Sequence, residues 1–83
     1  MKPSKIYEDL QRNRRRIIPF RDFERLIAAF GFTLERTRGS HRAYKHPHVP
    51  DVLTIQPKGG DAPPYQVRKF LDMIEQFRLE LDE

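Results

Sequence analysis

The chain has 83 residues, 16 Lys/Arg against 12 Asp/Glu for a formal net charge of +4, and no cysteine. A chain of this length supports one hydrophobic core and buries only about 60% of the surface its unfolded form exposes. The lack of cysteine excludes disulfides and thiolate metal sites, and no stretch has the apolar length of a secretory signal or a membrane span, so a cytoplasmic protein without membrane contact is expected.

Residues 1–18 read as a basic N-terminal extension ahead of a folded unit at 19–83. Within the extension, residues 4–12 are expected to form a short helix, capped by Ser4 and carrying Ile6, Tyr7 and Leu10 as a thin apolar stripe. The run Arg12 to Arg16 then either contacts phosphates or only keeps the segment soluble. Phe20, Phe23, Leu26, Ile27 and Phe30 recur at helical spacing. Pro19 suits the first turn and Gly31 the stop, which predicts a helix over 19–30.

The period then changes to two. In FTLERT, Phe32 and Leu34 alternate with Thr33 and Glu35. In HRAYKH, His41, Ala43 and Lys45 face one way and Arg42, Tyr44 and His46 the other, and VLTIQ at 52–56 reads as a third strand. Arg38-Gly39-Ser40 makes a tight turn in which Gly39 supplies a positive φ, and HPHVPD makes the second turn. KGGDAPP leads into a second helix over 64–79, with Val67, Phe70, Leu71, Ile74 and Phe77 as its core stripe and Leu81 extending it. The fold class is α+β. Its order is α-β-β-β-α, a three-stranded antiparallel meander with two helices on one face.

Charge is distributed unevenly over this plan. Residues 1–46 hold twelve Lys/Arg against five Asp/Glu, and residues 47–83 hold four against seven. A basic half of this kind is expected to meet a polyanion, nucleic acid foremost, although docking to an acidic protein asks for the same asymmetry.

The first hairpin concentrates the chemistry. His41 follows Gly39-Ser40, with Arg36, Arg38, Arg42 and Lys45 within five residues of it. Imidazole both accepts and donates protons near neutral pH. RNA offers a matching reaction: a deprotonated 2′-hydroxyl attacks the adjacent phosphate and the 5′-oxygen leaves. Arginine, lysine or turn N–H groups then hold the charge that builds on the phosphate oxygens. DNA lacks that nucleophile. Two roles for His41 stay open on the residues alone, a proton carrier at a phosphate or one member of a solvated basic face.

Other candidates are weaker. His46, His48 and Asp51, taken with His41, match no zinc spacing, and His41 and His46 begin on opposite strand faces, so no metal and no cofactor is expected. Tyr44 and Tyr65 can stack on bases, with core packing the expected role for Tyr44. Ser40 has no neighbouring base held by a third group.

The helix ending in Gly31-Phe32, the turn Arg36-Thr37-Arg38-Gly39-Ser40-His41, then Tyr44 and His46-Pro47, resemble the HicA family of toxins over roughly residues 19–77. The resemblance implies a fold similar to double-stranded RNA-binding domains and a metal-independent mRNA interferase of a bacterial toxin–antitoxin pair. It implies catalysis by the histidine of the turn, here His41, with Gly39 and Ser40 shaping the approach to phosphate. A HicB-type antitoxin that covers the site is the implied partner, beside the mRNA substrate. A non-catalytic RNA-binding module and an interaction domain for an acidic protein are the alternatives.

Overall fold

The computed structural model of the protein describes residues 2–82. Six elements follow in the order α1 (Pro3–Arg12), α2 (Phe20–Ala29), β1 (Thr33–Arg38), β2 (His41–His46), β3 (Val49–Ile55) and α3 (Pro64–Phe77). From α2 onward this is the expected α-β-β-β-α arrangement. Among the described residues no helix is long and apolar enough to cross a membrane.

Helix α1 starts at Pro3, two residues earlier than a Ser4 cap would set it. Lys2 is the extended N-cap residue and Pro3 occupies the first turn, where its fixed φ and missing N–H suit the helix. Ser4 is therefore a helical residue and not the cap. Ten residues are too few for an independent helix in water, and α1 holds through burial: Ile6 and Leu10 are buried in the common core. Tyr7 meets Phe30 edge-on, with ring centroids 5.0 Å apart.

Helix α2 ends as a glycine stop should. Gly31 has φ +93°, its N–H bonds the Ala28 carbonyl at 3.0 Å, and the Phe32 N–H reaches back to the Ile27 carbonyl at 3.4 Å. That pair of bonds satisfies carbonyls the helix would otherwise leave open. Space matters too, because a β-carbon on Gly31 would lie 3.0 Å from His46 Nε2.

The strands form one antiparallel sheet in the order β1-β2-β3. The second turn is tighter than HPHVPD suggests: His46 pairs with Val49 across Pro47-His48, so β3 begins at Val49 and not at Val52. Pro50 is tolerated inside β3 because this is an edge strand with ladder bonds on one side only. Both strand pairs carry an irregularity, between Leu34 and Arg36 in the first and between Tyr44 and His46 in the second.

Helices α2 and α3 cover one face of the sheet. Phe70 of α3 sits among Phe23, Phe30 and Phe32 in edge-on contacts, with centroids 5.7, 5.7 and 5.8 Å away. Tyr44, Leu53 and Ile55 complete the core from the strands. Helix α3 stops at Phe77, short of the expected 79, because Arg78 turns into the left-handed region at φ 51°. The chain then folds back. Leu79 and Leu81 pack against the core outside any helix, and the Asp82 N–H bonds the Ala29 carbonyl at 2.7 Å.

Deleting the ring at the centre of this cluster, Phe70→Ala, is expected to cost about 3–5 kcal/mol of unfolding free energy. The shift of the urea midpoint measures it. A change too small to move the midpoint would show that the aromatic cluster is not the centre of the core.

Candidate active site on the open face of the sheet

The face of the sheet away from the helices carries His41. Residues 38 and 41 pair directly across the two-residue turn Gly39-Ser40. Gly39 has φ +60° with no atom near the place a β-carbon would take, so glycine is required here for conformation and not for room. Positive φ at the first central residue only is the geometry that matches the twist of a hairpin. His41 and Ser40 are both exposed at this corner.

An extra residue in β1 determines what joins His41. Leu34 pairs with Tyr44, but Arg36 pairs with Ala43, so Leu34 and Glu35-Arg36 span the distance of two partner residues with one to spare. Strict alternation would have sent Arg36 to the side of Phe32 and Leu34. The bulge reverses the alternation beyond it. Arg36 and Arg38 therefore emerge on the open face, where they line a shallow depression with His41, Ala43 and Thr54. A second hollow adjoins it, lined by Glu35, Arg36, Ala43, Lys45 and Val52. The structure thus brings together His41, Arg36, Arg38 and Lys45 from the sequence candidates, with Gly39 and Ser40 forming the corner.

Arg42 is set apart from this group. It lies on the helix-facing side of β2, where its guanidinium donates to Glu24 Oε2 and stands 5.6 Å from the centroid of the Phe20 ring. The hydrogen bond to Glu24, reinforced by that carboxylate's charge, raises the Arg42 pKa further. Tyr44 joins the same carboxylate: its hydroxyl donates to Glu24 Oε1 at 2.8 Å. Burial first, and the bond to Glu24 second, push the Tyr44 phenol up to about 12. Tyr44 is a core residue.

The remaining arginines divide by partner. Arg12 pairs with Glu8 at 3.0 Å. Arg14 pairs with Asp72 at 2.6 Å and also donates to the Arg68 carbonyl, which ties the basic run to α3. Lys45 is within 3.9 Å of Glu35, both exposed, a pair that water screens strongly. Arg36 and Arg38 have no carboxylate partner among the described residues. An anion placed between them meets two guanidinium groups that no internal pair has neutralised.

His46 has a different task from His41. It is half-buried, its ring 5.0 Å from that of Phe32, and its Nδ1 accepts the His48 N–H at 3.0 Å. It fills the space left by Gly31 on the helix side of the sheet. Thr54 and Val52 escaped the sequence reading, since nothing local says which β3 residue stands beside His41. Glu24 escaped for the same reason: its partners are 18 and 20 positions away.

A family model for the HicA toxin of bacterial toxin–antitoxin pairs matches residues 20–78. No curated protein matches the chain, and no solved structure does.

The Tyr44 environment carries a pH signature. A phenol pKa raised by folding contributes stability that is complete below the unfolded value, about 10, and is lost as pH rises through the folded value of about 12. The parent's melting temperature should therefore fall more steeply over this window than that of Tyr44→Phe. Parallel melting curves from pH 9 upward test it, and identical slopes would rule out the raised phenol.

Proposed function

Since this chain belongs to the HicA toxin family of bacterial toxin–antitoxin systems, we propose that it is a metal-independent endoribonuclease acting on mRNA, with His41 as its proton carrier. The observation that carries the proposal is the exposed His41 beside two arginines without carboxylate partners, on a face no helix covers. His41 takes the proton of a 2′-hydroxyl; that oxygen bonds to the adjacent phosphorus as the bond to the 5′-oxygen breaks. The products are a 2′,3′-cyclic phosphate and a 5′-hydroxyl, the latter formed when the leaving oxygen gains a proton. Arg36 and Arg38 hold the charge that gathers on the phosphate, and Lys45 extends the positive strip along β2. Gly39 and Ser40 let the backbone of the turn approach the phosphate closely. Arg42 serves indirectly by fixing β2 against α2 through Glu24.

A HicB-type antitoxin is the proposed partner, covering the open face of the sheet. The hollow lined by Glu35, Arg36, Ala43, Lys45 and Val52 suits a partner that brings acidic groups and some apolar area.

Two comparisons test the catalytic assignment. His41→Ala should slow cleavage of a defined RNA by about a hundred-fold or more, the usual scale for a lost general acid or base. A substrate with a single 2′-deoxy sugar at the cut should resist at that position. The fragments should end in a cyclic phosphate by mass spectrometry. Equal cutting by parent and His41→Ala would remove His41 from the chemistry. A parent that binds RNA in a salt-sensitive manner and cuts none would instead be an RNA-binding module.

A further inference from the structure

Tyr65 stands out among the aromatic residues. It is 61% exposed, the most of any large apolar side chain described, while Phe20, Phe23, Phe30, Phe32, Tyr44 and Phe70 are buried. It occupies the first turn of α3, and three observations connect it to the His41 end of the sheet.

The first is position. Ile55 pairs with Arg42, so Gln56, the next residue, comes level with His41. The Gln56 N–H donates to the side-chain Oε1 of Gln66 at 3.2 Å. This bond fastens the first turn of α3 to the end of the sheet that carries the Gly39-Ser40 corner.

The second is order. Gln66 is 5% exposed, and its Nε2 donates to the Tyr65 hydroxyl at 3.2 Å. An exposed tyrosine tied by its hydroxyl to a buried amide loses less freedom when a ligand settles on its ring.

The third is charge. Arg68 and Lys69 lie three and four residues beyond Tyr65, on the same helix face. Both are exposed and neither side chain has a carboxylate partner among the described residues. Val67, Phe70 and Leu71 take the opposite, buried face. An ordered aromatic ring flanked by two free cations is the pattern that receives a single nucleic-acid strand, with bases on the ring and phosphates on the cations.

We infer that Tyr65 forms a stacking subsite for an unpaired RNA base at the His41 end of the sheet, on its helix side, for a strand that passes round that end from the open face, with Arg68 and Lys69 holding neighbouring phosphates. The subsite makes the enzyme favour single-stranded RNA over a duplex, whose bases are already stacked on one another. Gln66 is the positioning residue for the ring. The inference rests on the ribonuclease proposal for its substrate, yet its test reads binding as well as cutting.

The chain contains no tryptophan, so Tyr65→Trp introduces a single reporter. In a His41→Ala background, which keeps the RNA whole, its fluorescence should be quenched by a single-stranded oligoribonucleotide and far less by the same sequence as a duplex. Tyr65→Ala should weaken single-strand binding by about ten-fold or more, whereas Tyr65→Phe, which keeps the ring but loses the bond to Gln66, should bind more weakly than the parent and more tightly than Tyr65→Ala. Unquenched fluorescence, or Tyr65→Ala binding like the parent, overturns the subsite even if the parent cuts RNA. Quenching and Tyr65-dependent binding in a protein that cuts nothing would uphold the subsite and overturn the catalytic proposal. A protein that binds no single strand defeats both.

Discussion

The register between β1 and β2 governs everything the open face can do. One surplus residue between Leu34 and Arg36 lets Phe32 stay in the core while the arginines that follow emerge on the other side. Without it, Arg36 and Arg38 would share the side of Leu34, away from His41. The bulge therefore reconciles two demands of one short strand. Its start must feed the aromatic cluster around Phe70, and its end must present cations beside His41.

A division of labour among the basic residues follows from that placement. Arg14 and Arg42 are bonded to carboxylates of other elements and act as braces, the first between the N-terminal segment and α3, the second between β2 and α2. Arg36 and Arg38 are left with solvent. High positive charge alone thus says little about where an anion binds, because an arginine committed to an internal pair has little field left to offer. The formal +4 understates the local density of free cations around the hairpin and overstates it along α1.

The sheet also explains why the two nearby histidines differ. His41 begins β2 on the open face and His46 ends it on the helix side. His46 rests against Gly31, and a side chain on that glycine would crowd the ring, with its β-carbon 3.0 Å from Nε2. The stop signal of α2 and the last residue of β2 are one packing contact, which fixes how the first hairpin sits on the helix layer.

The apolar stripes of α2 and α3, the glycine stop at Gly31, the Gly39 turn and the shared face of His41, Ala43 and Lys45 were all legible in the residues, because each depends on neighbours within a few positions. The short helix in the N-terminal segment was legible too, but its burial was not: Ile6 and Leu10 look thin as a stripe until a second helix is there to receive them. The bulge at Glu35, the early start of β3, the partners of Arg14 and Arg42, and the closeness of Gln56 to Gln66 belong to the tertiary structure. Strand register is set by the partner strand, and ion pairs by side chains as far as 58 positions away, so no local period encodes them. Residue order by itself determined that a histidine would stand at a basic turn; only the folded chain decided which cations stand free beside it, because that depends on which ones found a carboxylate first.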